Sequence, residues 1–421
     1  MQVFKFGGAS TSSIERIQQI PAILQRYPND TILLVVSAMG KTTSALEKLT
    51  RAYYQGENEK ALTIFRQIKQ QHFDIAKYLL VTHYLPCEKQ METFFTEVEW
   101  LLHDKPVRNF DYYYDQIVCL GELLASSILS AYLNEVGHTH PWVDARDLLR
   151  TDKHFREGQI DWQLSAKNVQ QSLLPLFQKH RMVLTQGFIA STDENENCTL
   201  GLEGSDYSAA IFARLLQAKS VTLWKDVDGI MNADPALHPE AQLISRLSYE
   251  EAIEMACFGA RIIHPKALQP LQEAQIPLLV KSFLHPEREG SIIQQEVKNE
   301  TTPILVTKAS QVLVTCKTSH LELAAEHALT ALLQMLEALS LRPNLLQLDA
   351  VSIQVCLTDD PEKMEAFALQ AAAQFLVQLE KGMELLTLRH PLPGQLEELT
   401  KNKTVRLLQQ SGQTVHALLQ V

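Results

Sequence analysis

Residues Thr199–Ala210 read T-L-G-L-E-G-S-D-Y-S-A-A, followed by an Ala/Leu-rich run to Ala218 and the apolar stretch Val221–Trp224, which closes on K-D-V-D-G. Gly201 and Gly204 bracket a turn that opens into a helix, with Ser205 or Asp206 in the N-cap position. A helix start offers free backbone N–H groups and the positive end of a dipole, so it is a natural anion seat. An aspartate at such a seat suits the organisation of charge: accepting from a lysine, orienting a metal–water shell, or facing a nucleophile. Asp206 would serve equally well as a plain cap, and this stretch alone does not choose between the two.

Working outward, Val3–Phe6 is a short apolar run broken by Lys5 and ending at Gly7-Gly8. Ser12 and Glu15 match the S-x-x-E capping box, and Ile14, Ile17, Ile20 and Leu24 keep helical spacing. Thr31–Val36 is continuously apolar, as in a strand buried on both faces, and it ends in S-A-M-G-K-T-T-S before another helix. Strand, small-residue turn and helix recur, which predicts a parallel sheet covered by helices. Ligands of such sheets sit at the carboxyl ends of the strands, where Gly7-Gly8 and Ser37–Thr43 fall.

Residues from about 45 to 135 are helical in pattern. In the last of these helices Ile117, Leu120, Leu124 and Ile128 form an apolar stripe, and Glu122 projects from the opposite side, towards solvent or towards a cleft. Met182–Ala190 returns to strand character, and Ser191–Asn197 reads as a hairpin tip. Ser248 and Glu251 form a second capping box, and Pro277–Phe283 is another strand. Beyond Thr301 glycine becomes rare. Strands at Val312–Cys316, Leu345–Leu348, Val351–Leu357, Leu385–Arg389, Val405–Gln409 and Val415–Val421 alternate with helices at Leu321–Leu339 and Pro361–Leu379. This predicts paired small α+β units better suited to packing and sensing than to chemistry, with a boundary near residue 300.

A length of 421 residues predicts two or three domains. The net charge of -11 and scattered basic residues argue against a nucleic-acid or anionic-membrane partner. Cys87, Cys119, Cys198, Cys257, Cys316 and Cys356 show no C-x-x-C spacing, so neither a zinc site nor a disulfide framework is suggested. The N-terminus lacks a signal-peptide pattern and no apolar run approaches the ~20 residues of a membrane helix, which predicts a cytoplasmic chain.

Three glycine- or serine-bearing turns at strand ends, a lysine on the first strand, and Asp206 with Asp226 suit a nucleotide-phosphate site. Phosphoryl transfer asks mainly for positioning and charge neutralisation. Gly40-Lys41-Thr42 ends like a P-loop, but the first glycine of that motif would fall at Val35, inside a strand. No G-x-G-x-x-G follows a strand, which counts against a dinucleotide fold.

K-F-G-G-A-S at Lys5–Ser10 resembles the K-F-G-G-T-S opening of aspartate kinases. V-V-S-A-M-G-K-T-T-S, L-G-E, T-L-G-L-E-G-S-D-Y-S-A-A, W-K-D-V-D-G-I-M-N-A-D-P and F-G-A-R-I-I-H-P-K-A-L follow in that family's order across nearly the whole chain. The resemblance implies an amino-acid-kinase-like α/β fold over residues 1–298, with a parallel-rich sheet covered by helices. It implies tandem ACT-like (ferredoxin-like) α+β domains over 299–421.

The resemblance further implies transfer of the ATP γ-phosphoryl group to the side-chain carboxylate of L-aspartate, the first step towards lysine, threonine and methionine. Lys5 would neutralise the moving phosphoryl group, and Asp206 would organise lysine and substrate around it. Gly7 and Gly8 would set backbone N–H groups against the phosphates. Ser37, Thr43, Glu122, Gly204 and Ser205 match substrate-binding positions, with Glu122 pairing the substrate ammonium. Lys225, Asp226, Met231, Asp234 and Arg261 fall in nucleotide-binding segments, and His264 is read as structural. Mg2+ would be held mainly by the nucleotide phosphates and water, with no protein metal ligands. The ACT-like region would bind a feedback amino acid, lysine or threonine, and help form a homodimer or higher oligomer.

Several positions depart from the family. Leu202 stands where the family usually has an arginine that clamps a substrate carboxylate, and leucine offers neither charge nor donor. Ala9 replaces a threonine, Lys225 a threonine, Ala236 an arginine and Arg261 a frequent lysine. Two further readings stem from Leu202: a degenerate paralogue that binds nucleotide or amino acid as a regulator, and a kinase of a different carboxylate or amino acid.

Overall fold

A computed structural model of the chain describes residues 1–260, 263–297, 302–318 and 325–420. The chain divides into two compact units. One comprises Met1–Ile230, Leu243–Ile253 and Ile262–Lys298, the other Met231–Gln242, Glu254–Arg261 and Asn299–Val421.

The first unit is built on a seven-stranded sheet. Its strands are β1 (Gln2–Phe6), β2 (Ile32–Val36), β3 (Met182–Gln186), β4 (Ser220–Lys225), β5 (Arg246–Ser248), β6 (Leu278–Ser282) and β7 (Ser291–Gln294), in spatial order β5-β7-β6-β4-β1-β2-β3. β1 pairs in parallel with both β2 and β4, which sets Lys5 opposite Val35 on one side and Leu223 on the other. Only the β6–β7 pair is antiparallel in this sheet. Every residue of β2 is buried, as its unbroken apolar run requires of a strand covered on both faces.

Between β2 and β3 lie helices α2 (Thr42–Tyr54), α3 (Asn58–Leu79), α4 (Tyr84–His103), α5 (Phe110–Val118) and α6 (Leu120–Glu135), with α1 (Ile14–Gln25) preceding β2. Together α5 and α6 form a stretch long and apolar enough, by length and composition, to cross a membrane, contrary to the sequence expectation. It is the core helix of this unit, and α6 is buried on every side from Leu120 to Ser130. Glu122 therefore faces neither solvent nor an amphipathic boundary. It is 2% exposed.

Local starts differ in detail from the sequence reading. The α1 cap is Ser13, which accepts from Arg16 N, rather than Ser12. The second capping box forms as expected: Ser248 Oγ accepts from Glu251 N at 3.1 Å and Glu251 Oε2 accepts from Ser248 N at 3.2 Å. The run Met182–Ala190 is not one strand. Gly187 and Phe188, the latter at φ +68°, break it before the hairpin Ile189–Thr192/Asn197–Thr199.

In the second unit, β8 (Ile304–Thr318), β9 (Leu345–Leu348), β10 (Ser352–Thr358), β11 (Phe375–Arg389), β12 (Thr404–Ser411) and β13 (Thr414–Gln420) form an antiparallel half-barrel of ACT-like type in the order β9-β10-β8-β11-β13-β12. Part of the helix expected over Pro361–Leu379 is strand: the helix stops at Ala371 and β11 starts at Phe375. The two ACT-like sets are interleaved rather than laid end to end. Gln311–Lys317 of β8 pairs with β10, whereas Ile304–Lys308 pairs with the far end of β11, whose Met383–Arg389 in turn pairs with β13. A register shift after Lys308, with Ser310 at φ +56°, marks the joint. Val312, Val314, Leu332, Met364 and Phe367 pack a core between this sheet and its two longer helices.

Candidate active site

Lys5 sits in the middle of the sheet on β1, and Asp206 lies in the first turn of α7 (Gly204–Leu215). Glu203, at φ +52°, occupies the position before that helix, so neither Ser205 nor Asp206 is the cap. Its carboxylate accepts from His264 N at 2.7 Å, and His264 in turn caps Lys266 N through its side chain. His264 is thus the structural residue the sequence suggested. Glu203 is committed to it.

Freed from capping, Asp206 meets two cations. Lys5 Nζ lies 2.6 Å from Oδ1 and Lys225 Nζ 3.2 Å from Oδ2. Burial alone would raise the Asp206 pKa, but the charges of Lys5 and Lys225 outweigh it and hold the carboxyl at about 2. The sequence placed Lys225 among nucleotide-binding residues without linking it to Asp206. Their meeting follows from β1 and β4 being neighbours, which no local pattern reveals.

Around this trio, three strand-end turns close on one another. Gly8 O accepts from Gly40 N at 3.1 Å, Phe6 O from Ser37 N at 3.1 Å, and Trp224 O from Ser10 Oγ at 3.0 Å. A Cβ on Gly8 would lie 2.9 Å from Ala38 O, and one on Gly7 3.2 Å from Lys5 Nζ, so the backbone here is bare because side chains do not fit. Bare backbone here lies beside two lysines and a single carboxylate, which leaves an excess of positive charge. That suits a polyphosphate. Among the described residues, no group of three or more His, Cys, Asp or Glu side chains is arranged to hold a metal ion.

On the other side of the turn Ser37–Gly40 lies Glu122. Its Oε1 accepts from Ala38 N at 3.2 Å, and Oε2 has no partner among the described residues. Burial drives its pKa up to about 8, with Ala38 N–H and the charge of Lys5 only partly opposing. Ser37 and Thr43 are half-buried at this same turn and the start of α2. Ser205 is buried, and Gly187 packs on it so closely that a Cβ at Gly187 would lie 2.7 Å from Ser205 Cβ. Gly204 is held likewise by Phe188, whose N–H donates to Ser208 Oγ at 2.8 Å. The sequence reading missed Gly187 and Phe188, although a Q-G-F triplet at a strand end was a readable sign of a turn.

It also missed Asp115. This buried carboxylate accepts from Arg156 N at 2.8 Å, Thr199 N at 2.9 Å and Thr199 Oγ1 at 2.6 Å, and so anchors the approach to the Gly201 turn. Burial raises its pKa to about 6 against these hydrogen bonds.

The other nucleotide-segment residues are more scattered. Asp226 is exposed just past the end of β4. Met231 and Asp234 belong to the second unit, where Asp234 Oδ1 accepts from Ala236 N at 2.9 Å. Arg261 lies outside the described residues. Leu202 is 77% exposed.

The model of the amino acid kinase family matches residues 1–282. The chain is 32% identical over 304 residues to the bifunctional aspartokinase/homoserine dehydrogenase 1 of Zea mays, covering 71% of this chain but only 32% of that protein. It is 28% identical over 396 residues to the lysine-sensitive aspartokinase 3 of Escherichia coli, covering 92% of this chain and 86% of that one. The crystal structure of E. coli aspartokinase III in complex with lysine and aspartate superposes with a TM-score of 0.83 at 25% identity, covering 99% of this chain and 95% of that one. The chain therefore belongs to the amino acid kinase family: an ATP-dependent phosphotransferase whose sequence and fold follow those of the aspartokinases.

Proposed function

We propose that the chain transfers the γ-phosphoryl group of ATP to the side-chain carboxylate of L-aspartate, giving 4-phospho-L-aspartate. The observation that carries this reading is the buried array Lys5–Asp206–Lys225. Two ammonium groups held by one carboxylate are oriented together, and their positive charge would lie where charge builds up on a phosphoryl group in transit. Gly7 and Gly8 offer backbone N–H groups to the phosphates, and Lys225 and Asp226 border the nucleotide. Mg2+, carried mainly by the phosphates and water, supplies additional charge neutralisation.

Glu122 supports an amino-acid acceptor. Its unpaired, buried oxygen gains a partner when a substrate ammonium arrives, while Ser37, Thr43, Gly204 and Ser205 fix the rest of the molecule. With the ammonium at Glu122 and the side-chain carboxylate towards Lys5 and Asp206, attack on the γ-phosphorus proceeds in line. This is a cytoplasmic biosynthetic step, and the ACT-like half-barrel would bind a feedback amino acid, lysine or threonine, in a homodimer or larger assembly.

Leu202 favours a second reading, a catalytically degenerate relative acting as a regulator, because its exposed apolar side chain clamps nothing. Turnover separates the two. With saturating Mg-ATP, aspartate-dependent ADP release together with hydroxylamine trapping of the acyl phosphate is the expected result. No aspartate-dependent hydroxamate would overturn the assignment, and screening other amino and carboxylic acids under the same conditions would reveal a changed acceptor.

A further inference from the structure

The end of β3 touches both halves of the site. Strand register places Thr185 in the row of Val35 and Lys5, and Gln186 in the next row with Val36 and Phe6. Successive side chains of a strand alternate, so Gln186 points away from the face that carries Lys5. There it meets α6: Gln186 Nε2 donates to Ser126 Oγ at 2.9 Å, while Gln186 Oε1 accepts from Ala145 N at 2.7 Å. Trp142 Nε1 donates to the same Ser126 Oγ at 3.0 Å, and Ser126 Oγ donates to Leu123 O at 3.0 Å. The hydroxyl thereby uses its one proton and both lone pairs. Gln186 and Ser126 are wholly buried, so the bond between them lies in a low-dielectric interior, where it is strengthened.

Ser126 stands four residues after Glu122 on α6, one turn along on the same side of the helix. Pinning Ser126 to Gln186 therefore fixes Glu122 relative to the sheet. The residues that follow Gln186 turn to the other helix. Gly187 N donates to Val36 O at 2.9 Å, Gly187 packs on Ser205, and Phe188 N donates to Ser208 Oγ at 2.8 Å. Ser205 and Ser208 flank Asp206 in α7. Gln186, Gly187 and Phe188 thus tie the helix of Glu122 and the helix of Asp206 to one strand end.

We propose that Gln186 is a positioning residue that sets the span between Glu122 and Asp206, and with it the length of acceptor that the site takes. This rests on the aspartate reading above. With the acceptor's ammonium at Glu122 and its reacting carboxylate near Lys5 and Asp206, an extra methylene between them displaces the attacking oxygen. A fixed span disfavours the longer homologue glutamate. A loosened one admits it.

The test is steady-state hydroxamate kinetics on the full chain, with aspartate and with glutamate as acceptors. Wild type should prefer aspartate by about ten- to two-hundredfold in kcat/KM, the range that one methylene commands. Gln186→Leu keeps a side chain of similar size and removes both hydrogen bonds, whereas Ser126→Ala removes only the contact on α6. In both, the aspartate-to-glutamate ratio should fall about tenfold, with KM for ATP within about threefold of wild type. Ser126→Thr, which keeps the hydroxyl, should hold the ratio. A purely structural role would instead lower the melting temperature and the turnover of both acceptors together, leaving the ratio unchanged. An unchanged ratio in Ser126→Ala overturns the role of Gln186 and leaves the aspartate reading standing. A wild-type chain that forms no aspartate-dependent hydroxamate overturns both.

Discussion

Glu122 accepts one hydrogen bond from the backbone N–H of Ala38, at 3.2 Å, and its second oxygen, also buried, has no partner among the described residues. With a pKa near 8, its folded form holds a proton that the unfolded chain releases at the ordinary glutamate value. Between those two values the unfolded state binds fewer protons, so stability falls as pH rises, by about 1.4 kcal/mol per pH unit from this group. Glu122→Gln should remove that slope, and its stability advantage over wild type should widen from pH 5 to pH 8 in urea titrations. A constant difference across that range would refute the assignment.

A binding experiment probes the same carboxyl. An arriving ammonium favours the ionised form, so aspartate binding near pH 7 should release close to one proton, and above about pH 9 almost none. Calorimetry in two buffers of different ionisation heat measures this directly. Undiminished proton release in Glu122→Gln would point to another group.

Asp206 sits between Lys5 and Lys225 with its carboxyl held at about 2. Its contribution to stability is present above the ordinary aspartate value and is lost as pH falls through about 2. Asp206→Asn leaves two lysines without their shared counter-charge. Nucleotide affinity should hold or rise, while kcat should fall by about 10²–10³ because the lysines are no longer aimed. Fluorescent-nucleotide titration beside turnover separates the two effects, and a wild-type kcat would remove Asp206 from the chemistry.

Asp115 satisfies three donors on two segments, the two of Thr199 buried and that of Arg156 partly buried. Asp115→Ala strands them, and should cost about 3 kcal/mol or more by urea unfolding. A loss below about 0.5 kcal/mol would mean that water replaces the carboxylate without penalty.

In the second unit, Phe367 is wholly buried in the core of the half-barrel. Phe367→Ala should cost about 3–5 kcal/mol. Two compact units predict two calorimetric transitions, of which this substitution should lower one. Equal displacement of both would show that the units unfold as one.

What the residues alone disclosed follows from the range of the interactions. β2 was legible because a strand buried on both faces is apolar throughout, and the Ser248/Glu251 box because capping is a matter of neighbours. Asp206 was readable as a charge organiser only by its odd place at an anion seat. Its second lysine was not, because Lys225 reaches it through the pairing of β1 with β4. Glu122 misled the helical-stripe argument, since that argument assumes one wet side and α6 has none. The Arg156 loop left no trace, because its link to Thr199 runs through a carboxylate on a distant helix. Likewise the shared strand β11 was read in part as helix, because apolar residues at Phe375–Leu379 follow a helical run without a breaker.

The interleaving of the half-barrel constrains how this protein can be cut or recombined. β8 and β11 each serve both sets of strands, so the later set borrows its central pair from segments flanking the earlier one. A deletion of residues 320–374 would not excise a detachable bead. It would also join the borrowed pair through a tight connection, and a truncation after residue 390 would leave β11 with an open edge along Met383–Arg389. Chimeras exchanging sensory segments should therefore tolerate junctions only outside residues 304–389, or swap the two sets as a block.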